Sequence, residues 1–164
     1  MVKKQSNDRW NGCNMKTAKK ILFVCTGNTC RSPMAEYYFN SEIKKLGEKI
    51  DMTASSCGLC ANPGSPMPKN AAKALLSRNI AGEAHRSRQA ERGIIEASDL
   101  VYGVTAHHEE ALKQRFPEFS GRIFCMPEDI RDPFGGDAEV YRRCFVDIKR
   151  SVDAIIKSLT EENP

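Results

Sequence analysis

Short apolar runs alternate along the chain with longer stretches whose apolar residues recur at helical spacing. Residues 21–24 form a short continuous apolar run, which is typical of a strand buried in a parallel sheet. Ser32 and Pro33 then begin a predicted helix, because proline lacks the N–H group that the first helical position leaves unpaired. Gly47 ends this helix after the apolar positions Ala35, Phe39, Ile43 and Leu46.

The rest of the chain continues this alternation. Further strands are predicted near residues 50–54, 100–104 and 122–126. Helices are predicted around residues 71–76, around Ile94, over residues 109–115 and, as a long amphipathic helix, over residues 141–159. Four strands separated by helices predict an α/β fold, a single domain with a four-stranded parallel sheet flanked by helices. Ligands bind such sheets beyond the carboxyl ends of the strands.

The domain limits follow from the same pattern. Residues 1–17 lack periodicity and are rich in lysine, asparagine and glycine, so we expect a disordered extension there. The folded domain is expected to span residues 18–162, without an internal repeat or a second domain. The chain has 164 residues, 40% hydrophobic and 28% charged, which are values typical of globular proteins.

Composition excludes several classes of function. No apolar run approaches the roughly 18 residues that a membrane span needs, and the polar first residues do not resemble a secretion signal. The seven cysteines lie within apolar strand and helix patterns, which favours a reducing, cytoplasmic location. The net charge of +4 is mild and no basic run contains interleaved aromatic residues. We therefore expect no nucleic-acid or membrane partners. A monomer is expected as well, although the sequence does not determine the oligomeric state.

The first predicted strand leads directly into a loop with candidate chemistry. Five residues separate Cys25 from Arg31, which stands at the start of the next helix. Such a loop turns backbone N–H groups toward one point, the helix N-terminus adds partial positive charge, and Arg31 offers donors that match phosphate oxygens. These features favour the thiolate of Cys25. The strand before the loop and the Ser-Pro after it make a phosphate loop with a nucleophile a better interpretation than an ordinary turn with a small buried cysteine.

Two motifs carry a family resemblance that covers about residues 20–159. The segment ILFVCTGNTCRSPMAE, residues 21–36, resembles the signature of the low-molecular-weight protein phosphatases. The segment DPFGG, residues 132–136, matches the loop that holds the family's general acid. The resemblance implies that Cys25 attacks phosphorus and forms a phosphocysteine, that Arg31 stabilises the charge on the phosphoryl oxygens, and that Asp132 is the acid and then the base. It implies no metal and no cofactor.

The resemblance also assigns the remaining site residues. Those that contact the substrate are expected to be Thr26, Gly27, Asn28, Thr29, Cys30, Ser32 and Phe134. In the family, the positions of Asn28, Ser32, Ser56 and His85 form a polar network that holds the loop and stabilises the thiolate. Ser56 and His85 are therefore expected to have supporting roles, and the substrate is expected to be a phosphorylated protein side chain.

Three branches of the family share this scaffold. The protein-arginine phosphatases resemble this chain best, since they have threonine at the position of Thr29 followed later by DPFGG. The tyrosine-specific branch has a bulky aliphatic residue there and aromatic walls that residues 57–66 lack, and it is the alternative. Arsenate reductases need a cysteine pair near residues 80–95, where this chain has none, so they are less favoured. A silent phosphate-binding module is disfavoured because Cys25 and Asp132 are both present.

Three further cysteines leave alternatives open. Cys30 lies five residues after Cys25, and a closed loop can bring two such thiols within disulfide distance. A reversible bond would protect the nucleophile from over-oxidation, and a simple packing role for Cys30 is an equal alternative. Cys57 and Cys60 form a Cys-x-x-Cys in the predicted loop after the second strand, where two independent thiols are favoured over a redox pair.

Overall fold

The computed structural model describes residues 20–161. The strands are β1 (Lys20–Cys25), β2 (Thr53–Gly58), β3 (Leu100–Gly103) and β4 (Ile123–Cys125). The helices are α1 (Arg31–Leu46), α2 (Lys69–Leu76), α3 (Arg92–Glu96), α4 (Ala106–Arg115) and α5 (Ala138–Glu161), with a 3₁₀ helix over Pro117–Arg122. The predicted extension, residues 1–17, lies outside the described residues.

The strands form one parallel sheet in the order β2-β1-β3-β4, which confirms the predicted fold. The chain passes from β1 to β2 on one side and then returns across β1 to β3 on the other. The direction of winding therefore changes beside the carboxyl end of β1, where Cys25 lies. In open α/β sheets this switch point leaves a crevice in which ligands bind.

Alternate residues of β1 enter different halves of the core. Ile21 and Phe23 pack on the side of α1, α2 and α5, whereas Leu22 and Val24 pack with residues of α3, α4 and the 3₁₀ helix. All four side chains are at most 1% exposed. Burial of each contributes about 1.5–3 kcal/mol. The strand that carries the candidate nucleophile is thus fixed from both faces.

The second strand begins and ends later than predicted. The alternation around Ile50 and Met52 predicts a strand over residues 50–54, but β2 covers Thr53–Gly58. Ile50 and Met52 precede the strand and pack against the core from the connecting loop. The prediction failed because the buried end of β2 carries Ser56, a polar residue that is 3% exposed.

The other elements agree with the predicted ones to within a few residues, except for the 3₁₀ helix, which was not predicted. Its apolar residue Phe119 is buried and lies under the guanidinium groups of Arg92 and Arg122, 5.3 and 4.7 Å from the ring centroid. Among residues 20–161, no helix combines the length and the apolar character that crossing a bilayer requires.

Candidate active site

The loop between β1 and α1 turns sharply at its midpoint. Cys25 ends the strand, Arg31 begins the helix, and Asn28 between them has a φ angle of 54°. Non-glycine residues seldom adopt this left-handed conformation, which costs about 1–3 kcal/mol and persists only where neighbours hold it. A backbone that passes through it points successive N–H groups to one side. This is the geometry that an anion-binding loop requires.

Asn28 is fully buried and held on four sides. Its Nδ2 donates to Ser32 Oγ and to Ser56 Oγ, at 2.9 Å each, and its Oδ1 accepts from the backbone N–H of Arg88 at 2.9 Å. Its carbonyl oxygen lies 2.7 Å from Nε2 of His85. Because a carbonyl only accepts, Nε2 carries the hydrogen, and burial lowers the pKa of His85. The structure therefore brings the four predicted network residues together.

The sulfur of Cys25 lies within hydrogen-bonding distance of two members of this network. The backbone N–H of Asn28 donates to Sγ at 3.3 Å, and the hydroxyl of Ser32 lies 3.0 Å from it. Cys25 is only 3% exposed. Hydrogen bonds donated to a thiolate in a buried position favour the charged form, because they replace the water that burial removes.

The carboxylate of Glu36 and the amide of Asn28 together fix the direction of these hydrogen bonds. Its Oε2 lies 2.5 Å from Ser56 Oγ, and because a carboxylate only accepts, Ser56 donates to it and accepts from Asn28. The other Nδ2 hydrogen of Asn28 goes to Ser32, which leaves the Ser32 hydroxyl hydrogen for Cys25 at 3.0 Å or, less closely, the carbonyl of Cys57 at 3.3 Å. A chain of oriented bonds thus runs from the carboxylate to the nucleophile.

Glu36 was not predicted as a site residue. It lies on α1 four residues after Ser32, and residues at this spacing share one face of a helix. An acidic residue on the face that turns toward the loop is the signal that could have identified it. Burial raises the pKa of Glu36, while its bond to Ser56 and the charge of Arg88 act in the opposite direction.

The loop passes closely over the end of β2. A Cβ atom on Gly58 would lie 2.6 Å from the carbonyl oxygen of Thr26 and 2.9 Å from the backbone nitrogen of Asn28. Real side chains do not make such contacts, so glycine is the residue that lets the loop approach the sheet here.

Arg31 closes the other end of the loop. Its side chain is 8% exposed, its Nη1 donates to the carbonyl of Ile130 at 3.0 Å, and its Nη2 lies 3.5 Å from Oδ2 of Asp132. Asp132 is 55% exposed, and its Oδ1 accepts from the backbone N–H of Phe134 at 3.1 Å. The predicted acid thus stands at the rim, next to the arginine at the base of the loop.

The rim holds the two residues that are predicted to select the substrate. Thr29 is half-exposed on the loop, with its hydroxyl 3.7 Å from Sγ of Cys30. Phe134 is 82% exposed beside Asp132. Residues 57–66, which leave β2 and run past the loop, contain no aromatic side chain. The site therefore offers one exposed ring and one half-exposed hydroxyl around its opening.

The cysteines near the loop differ in environment. Cys30 is buried with its Sγ 3.5 Å from the hydroxyl of Tyr141, and burial raises its pKa. Cys57 lies inside β2 rather than in a loop, and burial raises its pKa to about 12, whereas Cys60 is exposed. The Cys25–Cys30 bond stays a prediction. Within residues 20–161 no three histidine, cysteine or acidic side chains group so as to hold a metal ion.

Comparison with known proteins gives consistent matches. The low molecular weight phosphotyrosine protein phosphatase family model matches residues 20–164. The protein-arginine-phosphatase of Bacillus subtilis (strain 168) is 32% identical over 149 residues, covering 87% of this chain and 97% of that protein. The low molecular weight protein-tyrosine-phosphatase PtpB of Staphylococcus haemolyticus is 35% identical over 132 residues, covering 77% and 89%. A cysteine-to-serine mutant of the YwlE arginine phosphatase with a phosphorylated active-site serine superposes with a TM-score of 0.81 at 30% identity, covering 86% and 95%.

Proposed function

The chain belongs to the low molecular weight phosphotyrosine protein phosphatase family and is a cysteine-dependent protein phosphatase, and we propose that it hydrolyses phosphoarginine side chains of proteins. Curated relatives from Bacillus subtilis and Geobacillus stearothermophilus, 32% and 36% identical, are protein-arginine-phosphatases. The observation that carries the substrate choice is Thr29, a half-exposed threonine on the phosphate loop.

The first chemical step transfers the phosphoryl group to the enzyme. The Cys25 thiolate attacks phosphorus, an S–P bond forms, and the P–N bond to the guanidinium breaks in line with it. Arg31 and the loop N–H groups stabilise the charge on the phosphoryl oxygens. Asp132 gives its proton to the departing nitrogen. The Ser32 hydroxyl and the Asn28 N–H, both within 3.3 Å of the sulfur, make the thiolate available at the start.

The second step returns the enzyme to its first state. Water attacks the phosphocysteine, Asp132 as a carboxylate takes a proton from that water, and the S–P bond breaks to release inorganic phosphate and the thiolate. The relative with a phosphorylated serine in place of its cysteine supports a phosphoenzyme for that protein. The position of Asp132, exposed at the rim but 3.5 Å from Arg31, allows it to reach either the leaving group or the water.

A cysteine substitution tests whether the site is catalytic. Cys25→Ser is expected to lower turnover of p-nitrophenyl phosphate by at least about 10⁴-fold, because a serine hydroxyl is a much weaker nucleophile than a thiolate and a serine oxygen is a poorer leaving group when water attacks the phosphoenzyme. Cys60→Ser is the matched control, since Cys60 is exposed and carries no role in the mechanism. If Cys25→Ser and the wild type showed equal turnover, Cys25 would not be a nucleophile and the loop would be only a phosphate-binding module.

Thr29 is expected to favour phosphoarginine for two reasons. Its hydroxyl can pair with a guanidinium nitrogen, and its short side chain leaves room that an isoleucine would fill. The neighbouring segment 57–66 has no aromatic ring with which to stack a phenyl phosphate. Both features concern the opening of the site and leave the chemistry at Cys25 unchanged.

The test compares hydrolysis of phosphoarginine and phosphotyrosine peptides. Wild type is expected to prefer phosphoarginine, and Thr29→Ile is expected to move the ratio of the two kcat/KM values toward phosphotyrosine by roughly tenfold, the effect of one hydrogen bond. Thr53→Ile makes the same change at an exposed position at the far end of β2 and should leave the ratio unchanged. A wild-type preference for phosphotyrosine would reject the proposal.

Phosphotyrosine is the second candidate because of Phe134. This ring is 82% exposed beside the predicted acid, where it can stack on a phenyl group. If phosphotyrosine is the substrate, Phe134→Ala should raise KM for phosphotyrosine peptides and leave KM for phosphoarginine peptides unchanged.

We expect the phosphatase to act as a cytoplasmic monomer on protein substrates, without nucleic-acid or membrane partners. The six cysteines of the described chain are free thiols, and four of them are buried. Buried free thiols suit a reducing compartment. Sedimentation equilibrium and cell fractionation test the two expectations.

A further inference from the structure

Thr26, the residue directly after the nucleophile, is held by contacts outside the Asn28 network. It is exposed, whereas Asn28 and Cys30 of the same loop are buried. Its carbonyl oxygen accepts from the backbone N–H of Cys60 at 2.9 Å, which fixes one side of the residue. Its hydroxyl lies 2.9 Å from Nε2 of His108, which fixes the other side.

His108 reaches Thr26 from the first turn of α4. It is 4% exposed, and its Nδ1 lies 2.6 Å from Oγ1 of Thr105, the residue that caps this helix. Both ring nitrogens of a buried histidine are therefore engaged by threonine hydroxyls. The ring forms a bridge between the end of β3 and the phosphate loop, two segments that are far apart in the sequence.

The hydrogen positions follow from the partners. Thr105 Oγ1 already accepts from the backbone N–H of His108, and its single hydrogen can be given to Nδ1. Nε2 then carries the ring hydrogen and donates it to Thr26. Burial and, next in size, the charge of Arg31 lower the pKa of His108 to about 4, so the ring is neutral at neutral pH. A neutral ring adds no charge beside the thiolate and the substrate.

We propose that His108 is a positioning residue of the phosphate loop, which holds Thr26 through its hydroxyl and so keeps the loop N–H groups directed at the phosphoryl oxygens. This inference rests on the proposed phosphatase site and extends it by one residue. Without the bridge, Thr26 keeps only the Cys60 contact at its carbonyl, and the loop next to Cys25 can rotate away from the anion. Binding of the transition state and of inorganic phosphate should both weaken.

Two substitutions of His108 distinguish the contact made by Nε2 from the contact made by Nδ1. The amide of His108→Gln reaches the place of Nε2 and can still donate to Thr26. The amide of His108→Asn reaches only the place of Nδ1, so that it keeps the contact with Thr105 and loses the contact with Thr26. His107→Asn is the matched control, since His107 is the exposed neighbour on the same helix turn.

The variants are compared by kcat and KM for p-nitrophenyl phosphate, by the inhibition constant of inorganic phosphate, and by thermal unfolding. His108→Gln and His107→Asn are expected to stay close to wild type. His108→Asn and Thr26→Val are each expected to lower kcat/KM roughly tenfold and to weaken phosphate inhibition, the effect of one lost hydrogen bond. The double variant His108→Asn/Thr26→Val should lose no more than either single variant, because both remove the same bond.

Three results would overturn the inference. The first is that His108→Asn keeps the kcat/KM and the phosphate inhibition of the wild type. The second is that the losses of the two single variants multiply in the double variant. The third is that the loss of activity in His108→Asn is explained entirely by a lowered unfolding temperature. None of these results would contradict the proposed function, because wild-type turnover and its loss in Cys25→Ser are measured separately.

Discussion

The buried and the exposed sides of the phosphate loop differ in how firmly their side chains are held. On the buried side, Asn28 is inaccessible to solvent and makes hydrogen bonds through its amide group and its carbonyl. On the exposed side, Asp132 is 55% exposed and Phe134 is 82% exposed. The groups that generate and orient the nucleophile are therefore fixed by packing. The groups that meet the leaving group are exposed, so they can be substituted without disturbing the core. One scaffold can thus keep its chemistry and vary its substrate.

Among the residues that surround the nucleophile, Asp132 on the exposed side is expected to give the largest effect, and that effect should depend on the substrate. Asp132→Asn removes the proton donor and should lower kcat/KM by about 10²–10⁴-fold for a substrate with a poor leaving group, such as phenyl phosphate. For p-nitrophenyl phosphate, whose leaving group needs little protonation, the loss should be clearly smaller. Steady-state kinetics on both esters measure the difference.

Asp137→Asn is the control for this prediction. Asp137 is an exposed acid five residues later that caps α5 through the backbone N–H of Val140, a role that asparagine also fills. Equal losses on the two esters would mean that Asp132 acts on the loop or on Arg31 rather than on the leaving group.

Glu36 on the buried side should give a smaller effect that is the same for all substrates. Glu36→Met removes the acceptor of the Ser56 hydroxyl, so that Ser56 is held less firmly as an acceptor for the Asn28 amide, which also donates to Ser32 beside Cys25. We expect kcat to fall roughly tenfold on both esters, the effect of one misdirected hydrogen bond. Glu36→Gln keeps an acceptor oxygen and should retain most of the activity. A loss confined to one ester would contradict the proposed orientation.

The last prediction concerns stability rather than turnover and involves His108. Its pKa is about 4 in the folded chain and about 6.5 in an unfolded one, so the unfolded state takes up a proton first as the pH falls. The neutral ring thus contributes stability that is complete above about pH 6.5 and is lost as the pH falls toward 4. Relative to His108→Asn, wild type should lose about 2–3 kcal/mol of unfolding free energy between pH 7 and pH 4.

Urea denaturation at the two pH values tests this prediction. His107→Asn, which removes the exposed neighbouring ring, serves as the reference and should follow wild type at both pH values. A difference between wild type and His108→Asn that stays constant with pH would mean that the His108 ring is not held neutral in the folded chain.

Much of the fold and of the loop could be predicted because their signals are local. The run at residues 21–24, the Ser-Pro start of α1 and the helical spacing before Leu159 each depend on a few neighbouring residues. The same holds for Cys25 and Arg31, which are joined by a short loop. The prediction for β2 was displaced since its buried end carries Ser56, whose hydroxyl is satisfied by hydrogen bonds rather than by apolar packing.

The remaining site residues could not be predicted because they act across long sequence separations. His108 meets Thr26 over 82 positions, and only the pairing of β1 with β3 brings the two segments together. Glu36 is close to the loop in sequence, but its role depends on Ser56, which arrives with β2. Its spacing from Ser32 indicates which face of α1 Glu36 occupies, but not the partner that gives it a role.

The side chains that hold the phosphate loop are synthesised after the loop itself, and this order has a consequence for the nascent chain. The ribosome makes Cys25 early, whereas Ser56, His85 and His108 follow on segments that must all dock before Asn28 and Thr26 are held. The unusual backbone of Asn28 is costly without those partners. A nascent or truncated chain that ends before His108 lacks these contacts, so the catalytic shape of the loop matures only after the segments that carry Ser56, His85 and His108 have been translated and have docked.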